Sequence, residues 1–387
     1  MSEMDLASLV LAGDRLALSR TLSRVENGTA EGMSALNALF AHTGKAHLVG
    51  ITGASGTGKS SLVNQLALYY RQPAKRSEPA ERSGPAKQGG PAKRSEPSEQ
   101  SGSAKSSEPA QAVPEPRVAI VAVDPTSPFT GGAILGDRIR MRDLAGDPGV
   151  FIRSMATRGS LGGIAAATGA VVQVLDAAGF ELILIETVGA GQSEVDIARL
   201  AHTTIVVEAP GLGDDIQAIK AGILEIADIL VVNKADLPGA ENTERALRGS
   251  LGLAQPPRLA SQSIRRVVHH GQLVSSLEPQ PALEPSNQAW SPPILRTVAL
   301  DGTGVAELAE AIAAHRAYLE STGGWGRRER GRLQTELDLL LQSRLVKDFH
   351  SHLSQGEYAM ALQGVLERRI SPFQAVEQLV DKHEHGS

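Results

Sequence analysis

The sequence predicts an α/β fold with a mainly parallel central sheet and helices on both faces. Short apolar runs of strand length alternate with segments of helical periodicity from about residue 46 to 235. This alternation is typical of βαβ units, whose parallel strands are buried on both sides. A glycine-rich loop follows the first apolar run, and polar residues follow several others. The runs that predict strands are 47–52, 117–123, 182–186, 203–208 and 228–232.

Composition narrows the class of protein. The chain has 387 residues, enough for one large α/β domain with added elements. The net charge of −5 gives no general basic field, so we expect no nucleic-acid or membrane partner. The absence of cysteine excludes disulfides, thiolate metal ligands and cysteine nucleophiles. The sequence has no apolar run of membrane length, and we expect a cytoplasmic protein.

Helical segments flank the predicted sheet domain, which we place at 46–320. Residues 5–26 have helical spacing and a break near Asp14, which predicts two short helices in an N-terminal extension, 1–45. Apolar residues recur at helical spacing over 332–349 and 357–381. These predict a C-terminal helical extension, 321–387, that packs on the core or forms a dimer surface.

Two irregular stretches interrupt this order. Residues 72–116 are rich in Pro, Ser, Ala, Glu, Lys and Gly, and contain an imperfect tandem duplication. With so few apolar residues this insertion is predicted to be disordered, either as a tolerated surface insertion or as a docking segment. Residues 254–293 contain several prolines, which predict an irregular linker, and a short basic patch, which we expect to be exposed to solvent.

A phosphate-binding loop is the most specific motif in the chain. Residues 53–60 have the form G-x-x-x-x-G-K-S and lie between an apolar run and a helix-like segment. Glycines let the backbone N–H groups converge on a phosphate, lysine reaches the β- and γ-phosphates, and serine ligates Mg²⁺. The predicted nucleotide contacts here are Gly53, Ala54, Ser55, Gly56, Thr57, Gly58, Lys59, Ser60 and Ser61.

The apolar run 229–232 is followed by N-K-x-D, formed by Asn233, Lys234 and Asp236. A carboxylate at Asp236 accepts two hydrogen bonds from the guanine edge. Adenine lacks this pair of donors and would leave the carboxylate unsatisfied. Downstream of a phosphate-binding loop, the motif therefore predicts a guanine nucleotide.

Acidic residues after the strands predict a magnesium site. Mg²⁺ prefers hard oxygen ligands beside phosphates, and Asp124 and Glu186 fall at strand carboxyl ends, where nucleotides bind. Asp137 follows Asp124 in the chain, and helix or turn capping is the alternative role for both aspartates. Gly189 follows Glu186 by three residues, and we expect its N–H to donate to the γ-phosphate.

Three residues are candidates for hydrolysis itself. Lys59 and Glu186 belong to the predicted phosphate and metal sites. Gln192 could orient the attacking water, by analogy with the glutamine of other GTPases. It stands three residues after Gly189 and not directly after it, so this role is a hypothesis.

Four longer segments resemble the MeaB/ArgK GTPases, the metallochaperone-type G proteins that serve methylmalonyl-CoA mutase. Two of them are V-D-P-T-S-P-F-T-G-G-A-I-L-G-D-R-I-R-M at 123–141 and R-S-M-A-T-R-G-S-L-G-G at 153–163. The others are E-T-V-G-A-G-Q-S-E at 186–194 and G-D-D-I-Q-A-I-K-A-G-I-L-E-I-A-D at 213–228. The resemblance covers about 5–71 and 117–381.

The resemblance implies a homodimeric GTPase of the SIMIBI class that uses GTP with Mg²⁺. Its partners would be an adenosylcobalamin-dependent acyl-CoA mutase and the adenosyltransferase of that mutase. It would gate delivery of the cofactor and removal of damaged cofactor, without binding cobalamin itself. The metal ligands would be Ser60, Asp124, Asp137 and Glu186. Asp215, Gln217 and Lys220 would belong to a mobile switch that couples to the partner.

The chain departs from the family pattern in its base-contacting loop and its two irregular stretches. The loop reads Thr297-Val298-Ala299-Leu300, where the family usually has Ser-Ala, so Ala299 and Leu300 are the predicted base contacts.

Three other functions stay open. They are a P-loop kinase of the old arginine/ornithine transport type, a nickel-insertion GTPase, and a module that holds GTP without turnover. Isobutyryl-CoA and ethylmalonyl-CoA mutases are alternative clients.

Overall fold

A computed structural model describes residues 5–72, 115–125, 141–144, 146–157, 163–187, 193–211, 225–254 and 289–384. Its centre is a seven-stranded sheet in which every strand pair is parallel. The strands are β1 His47–Thr52, β2 Val118–Pro125, β3 Val150–Thr157, β4 Leu182–Thr187, β5 Thr203–Glu208, β6 Ile229–Val232 and β7 Ile294–Arg296. Their spatial order is β3-β2-β4-β1-β5-β6-β7. The α/β fold with a parallel sheet is thus confirmed.

Helices cover both faces of the sheet. Within the part of the chain that the structure describes, two short 3₁₀ turns, Phe40–His42 and Arg142–Leu144, add to them. In the described ranges the α-helices are α1 Leu6–Leu11, α2 Arg15–Glu26, α3 Ala30–Leu39, α4 Lys59–Arg71, α5 Gly163–Ala177, α6 Ser193–Leu200, α7 Ala240–Ala254, α8 Val305–Ser321, α9 Gly324–His352, α10 Gln355–Leu366 and α11 Pro372–Glu384. None of the described helices is long and apolar enough to cross a membrane.

Alternate residues of each strand feed two separate core layers. Ile183 and Ile185 of β4 pack into one layer, with α1 to α3, α5 and α6. Leu182 and Leu184 pack into the other layer, with α4 and α8. Successive side chains of a strand point to opposite faces, and both faces are covered here. This is why the strands are continuous apolar runs in the sequence.

All five predicted strands are present, and the sequence missed two others. Strand β3 was missed because its apolar run is interrupted by Arg153, an unusual residue for a sheet. The Arg153 guanidinium pairs with Glu26 of α2 and donates to Ser23 Oγ at 3.2 Å, which allows it to be half-buried in the sheet. Strand β7 was missed because it has three residues and follows two prolines.

The predicted break near Asp14 is a helix cap. The Asp14 carboxylate accepts hydrogen bonds from the N–H groups of Leu16 and Ala17, both at 2.8 Å, and so starts α2. Arg15 then donates to the carbonyls of Pro148 and Val150 at 2.9 and 2.8 Å. The N-terminal helices are therefore fastened to the edge of the sheet at β3.

Helix α9 is anchored at the amino edge of the sheet, opposite the carboxyl ends of the strands. Arg328 forms a bidentate pair with Asp228, which precedes β6, at 2.6 and 2.7 Å. Trp325 stacks on His202, which precedes β5, with ring centroids 4.0 Å apart. These contacts fix the first turns of α9 on the domain.

A buried chain of neutral side chains lies beside this anchor. Thr203 Oγ1 is hydrogen-bonded to His47 Nε2 at 2.8 Å and to His315 Nδ1 at 2.9 Å. Burial lowers the pKa of His47 to about 3 and that of His315 to about 4. Both imidazoles are therefore uncharged at neutral pH, and the cluster adds no unpaired charge to the core.

The C-terminal region is helical, as predicted, but the stretch 357–381 contains two helices. Helix α10 ends where Arg368 adopts a φ of 60°, and Pro372 begins α11. Most of the insertion, at 73–114, lies outside the described residues. Most of the linker, at 255–288, also lies outside them. Arg71 pairs with Glu115 at 3.0 Å, so the two ends of the insertion meet.

Candidate nucleotide-binding site

The loop between β1 and α4 has the backbone geometry of a phosphate-binding loop. Gly53 has a φ of 137° and Gly58 a φ of 89°, values that favour glycine. A Cβ atom at Gly53 would lie 2.1 Å from the Val207 carbonyl oxygen, and one at Gly58 would lie 2.4 Å from Asn233 Nδ2. Both positions therefore require glycine for conformation and for space.

Lys59 lies at the centre of this loop. It is the first residue of α4 and is 6% exposed. Its Nζ donates to the carbonyls of Gly53 and Ala54 at 2.8 and 2.9 Å. The loop therefore curls around a buried ammonium at a helix N-terminus, where free N–H groups and the helix dipole also favour an anion.

Two oxygen ligands suited to Mg²⁺ meet beside the loop. Ser60 Oγ donates to Glu186 Oε1 at 2.5 Å, and both side chains are buried. The parallel pairing of β1 with β4, which sets Ile51 opposite Glu186, creates this contact. A hydroxyl and a carboxylate next to a phosphate site are the donors that Mg²⁺ prefers, with phosphates and waters completing its shell. The donor chemistry of this pair therefore fits magnesium.

A second polar pair holds the same strand ends together. Thr187 Oγ1 donates to Thr52 Oγ1 at 3.2 Å, and both residues are almost completely buried. Thr52 directly precedes the loop and Thr187 directly follows Glu186. Sequence reasoning missed this pair, although both threonines stand where an apolar run ends.

Asn233 joins the phosphate loop to the predicted base loop. Its Nδ2 donates to the Thr57 carbonyl at 2.8 Å. Its Oδ1 accepts from Thr297 Oγ1 and from the Ala299 N–H, both at 3.1 Å. Since Asn233 is 1% exposed, these bonds are shielded from water. The side chain thus sets the distance between two loops, and sequence reasoning missed the contribution of Thr297.

Lys234 and Asp236, the other residues of the N-K-x-D motif, lie at the rim of the site. Lys234 has a φ of 55°, and its Cε lies 3.9 Å from the position of a Cβ at Gly58, so the side chain passes over the loop. Asp236 is exposed at this rim. Leu300 is 86% exposed, whereas Ala299 is buried with its N–H on Asn233. The predicted contact of Ala299 N–H with guanine stays a prediction and would compete with that bond.

Several predicted residues lie outside the described part of the chain. Asp124 is in β2, where it faces Ala156 of β3, but the placement of its side chain is not described. The remaining ones are Asp137, Gly189, Gln192, Asp215, Gln217 and Lys220. In the described ranges, the structure therefore brings together the loop, Ser60 with Glu186, and the Asn233 motif with the 297–300 loop.

Comparison with known proteins agrees with this geometry. The family described as methylmalonyl Co-A mutase-associated GTPase MeaB matches residues 18–78 and 113–354. A protein of Pyrococcus horikoshii named as a GTPase is 38% identical over 96% of this chain and 95% of its own length. GTPase ArgK of Escherichia coli is 28% identical over 95% of this chain and 92% of its own.

A solved structure shows the same fold. The crystal structure titled as a LAO/AO transport system kinase aligns with a TM-score of 0.62 at 20% identity, and the alignment covers 99% of both chains. The family match spans more than half of the chain and includes the phosphate loop, Glu186 and the Asn233 motif. The protein is therefore a GTPase that belongs to the MeaB/ArgK family of P-loop GTPases.

Proposed function

We propose that this GTPase binds an adenosylcobalamin-dependent acyl-CoA mutase, with methylmalonyl-CoA mutase as the first candidate. GTP binding and hydrolysis would gate delivery, protection and reactivation of the mutase cofactor. The observation that supports this most is membership of a family described as mutase-associated. A mouse relative, 29% identical over 68% of this chain and 58% of its own, is named methylmalonic aciduria type A homolog.

Each part of the site would have a defined role in hydrolysis. Lys59 would hold the β- and γ-phosphates inside the loop, and the Asn233 motif would select guanine through Asp236. Mg²⁺ would be held by Ser60 and Glu186, with Asp124 and Asp137 completing the protein ligands. When bound, it supplies positive charge to the phosphate oxygens. Because Ser60 Oγ donates to Glu186, its lone pairs remain available as ligands.

Two further steps belong to this proposal. Gln192 would orient the attacking water, and Gly189 would sense the γ-phosphate with its N–H. The segment with Asp215, Gln217 and Lys220 would contact the mutase. It follows Gly211, which lies after β5 and so at the carboxyl edge of the sheet, where the phosphate loop also lies. A partner bound there would respond to the nucleotide directly.

The test is phosphate release from GTP, alone and with purified methylmalonyl-CoA mutase. We expect a slow rate that the mutase raises several-fold, and no comparable rate with ATP. Heat-denatured mutase is the control for contaminating phosphatase. If no cobalamin-dependent acyl-CoA mutase changes the rate, the client assignment is wrong and the GTPase activity stands.

Two further assays test the kinase and the nickel-insertion alternatives, while measurable phosphate release itself excludes a module that holds GTP without turnover. A kinase of the arginine/ornithine transport type would move the γ-phosphate of a labelled nucleotide to an acceptor. We expect all of the label in inorganic phosphate, with or without arginine and ornithine. A nickel-insertion protein would bind Ni²⁺ stoichiometrically in equilibrium dialysis, and we expect it not to do so.

We also propose that the exposed apolar surface of the C-terminal helices contacts a second copy of the chain. Helix α9 exposes five apolar side chains in its second half, and α10 and α11 expose further ones. Exposed apolar side chains in this number on neighbouring helices are unusual on a monomer and are typical of an interface. The exposed apolar side chains of α9 are Leu337, Leu340, Leu341, Leu345 and Val346, with 47% to 66% exposure.

Leu341→Glu is expected to convert a dimer to a monomer. A charge at the centre of an apolar interface would be buried without a partner, which is strongly unfavourable. The measurement is molar mass by light scattering at several concentrations. Arg344→Gln is the matched control, since Arg344 is exposed on the same helix and pairs only with Asp348 among the described residues. A monomeric wild-type protein would overturn the proposed dimer.

A further inference from the structure

Two threonine hydroxyls meet at the carboxyl ends of β1 and β4. Thr187 Oγ1 donates to Thr52 Oγ1 at 3.2 Å, and neither residue is more than 1% exposed, so the bond is shielded from water. Thr52 directly precedes Gly53 of the phosphate loop, and Thr187 directly follows Glu186. Each threonine therefore adjoins, in the chain, one half of the predicted phosphate and metal site.

The backbone pairing between β1 and β4 stops just before these threonines. Its last pair sets Ile51 opposite Glu186. The ladders on either side run one residue further, since Thr52 is still paired with β5 and Thr187 with β2. The hydroxyl bond therefore joins β1 to β4 at the level where the ladder between these two strands has ended.

The boundary between β1 and β4 is also where the connecting helices change sides of the sheet. Helix α4, which follows β1, packs in the core layer of Leu184. Helix α6, which follows β4, packs in the opposite layer, that of Ile185. Ligands of open α/β sheets bind at such a switch point, outside the carboxyl ends of the strands. The threonine pair thus lies at the two strand ends that carry the nucleotide site.

The end of β4 is held on both of its faces. Successive side chains of a strand point to opposite faces. Glu186 points toward α4, where it accepts a hydrogen bond from Ser60 Oγ at 2.5 Å. Thr187 points to the other layer, as does Ile185 two residues before it. A turn of the strand about its own axis would lengthen at least one of these two bonds, so together they fix the direction of the Glu186 side chain.

We propose that Thr52 and Thr187 are positioning residues, whose hydroxyl bond holds the Glu186 carboxylate beside Ser60 and thereby sets the affinity of the site for a divalent cation. Both hydroxyls lie on the face of the sheet away from α4, so they are not ligands themselves. They act through the residues next to them in the chain. The inference deepens the proposed function, on which it rests for the metal-binding role of Ser60 and Glu186.

The test measures Mn²⁺ binding to the full-length protein, loaded with a non-hydrolysable GTP analogue, by electron paramagnetic resonance. Mn²⁺ is the probe because it takes the same oxygen ligands as Mg²⁺. We expect Thr187→Val to raise the Kd for Mn²⁺ about tenfold, as is typical when a residue that orients a metal ligand is lost. Thr52→Val should have the same effect. Thr187→Ser retains the hydroxyl and should bind Mn²⁺ as the wild type does.

The double variant separates positioning from loss of stability. Each single valine variant leaves one buried hydroxyl without its partner and should melt below the wild type. Thr52→Val combined with Thr187→Val leaves no such hydroxyl and keeps the shape of both side chains, so its melting temperature should return close to the wild-type value. Its Kd for Mn²⁺ should stay as high as in the single variants. Recovery of Mn²⁺ affinity together with melting temperature would overturn the positioning role.

Steady-state turnover gives a second readout. In Thr187→Val, the Mg²⁺ concentration for half-maximal phosphate release should rise about tenfold. The KM for GTP at saturating Mg²⁺ should stay as in the wild type, because the phosphate loop keeps its own contacts. A raised KM for GTP with an unchanged Mg²⁺ requirement would place the defect in the phosphate loop and contradict the inference.

Two further variants serve as controls. Thr21→Val also removes a buried threonine hydroxyl, but one in α2 that makes no hydrogen bond to the described residues, and it should leave the Kd for Mn²⁺ unchanged. Glu186→Gln should weaken Mn²⁺ binding at least as much as Thr187→Val. If Glu186→Gln binds Mn²⁺ normally, the proposed metal site is wrong, and the inference with it. If Glu186→Gln is weakened and a folded Thr187→Val protein is not, only the positioning role is overturned.

Discussion

Lys59→Ala is expected to reduce GTP turnover by at least about a hundredfold to a thousandfold, the loss typical of removing one preorganised charge from a transition state. Its ammonium is buried, so its charge acts on the phosphates through a medium of low dielectric. The loop also loses the donor to the carbonyls of Gly53 and Ala54, and its curl relaxes. Nucleotide binding should weaken together with turnover.

The measurement is GTP affinity by calorimetry and the rate of phosphate release at saturating GTP. Lys45→Ala is the matched control, because Lys45 is exposed and precedes β1 at the opposite edge of the sheet. Thermal melting of the nucleotide-free proteins shows whether Lys59→Ala is folded. Wild-type affinity and rate in a folded Lys59→Ala protein would refute the assignment of the phosphate loop.

Asn233→Ala should combine a loss of stability with a loss of nucleotide binding. It removes three buried hydrogen bonds and leaves the Thr57 carbonyl, the Thr297 hydroxyl and the Ala299 N–H without their partner. Each buried group left unsatisfied costs about 1–3 kcal/mol, so the free energy of unfolding should fall by on the order of 3 kcal/mol. Since both loops would then move independently, GTP affinity should fall more than a hundredfold.

Urea unfolding gives the stability, and titration with a fluorescent GTP analogue gives the affinity. Asn242→Ala serves as the control, because Asn242 is exposed at the start of α7 and its side chain accepts a hydrogen bond only from Arg245 among the described residues. The interpretation of Asn233 as the link between the loops would be wrong if its loss cost less than about 1 kcal/mol.

The sequence predicted the parts of the site that depend on local geometry. The phosphate-binding motif is local and was confirmed by its strand–loop–helix context, so the loop around Lys59 could be predicted from eight residues. The ends of β4 and β6 were equally clear, since apolar runs stop there at Glu186 and Asn233. Four longer segments, at 123–141, 153–163, 186–194 and 213–228, identified the family, which the comparisons confirm.

The contacts that depend on tertiary packing were not predictable in the same way. Nothing in N-K-x-D shows that the amide of Asn233 spans two loops, because Thr57 and Ala299 are distant in sequence. Strand β3 was not predicted because Arg153 interrupts its apolar run, and the partner that neutralises this charge, Glu26, lies in another element. Asp196 and Arg332 line one cavity only because α9 packs on α6, which no local pattern encodes.

The strand order also determines when the nucleotide site can form during synthesis. Strand β1, which leads into the phosphate loop, has as its neighbours β4 and β5, beginning at residues 182 and 203. The base loop at 297–300 is made later still. Pairings this distant in sequence fold slowly, and until they form the apolar strands are open to aggregation. Binding of GTP therefore signals that a newly synthesised chain has closed its sheet, and cellular GTP would draw the last stage of folding to completion.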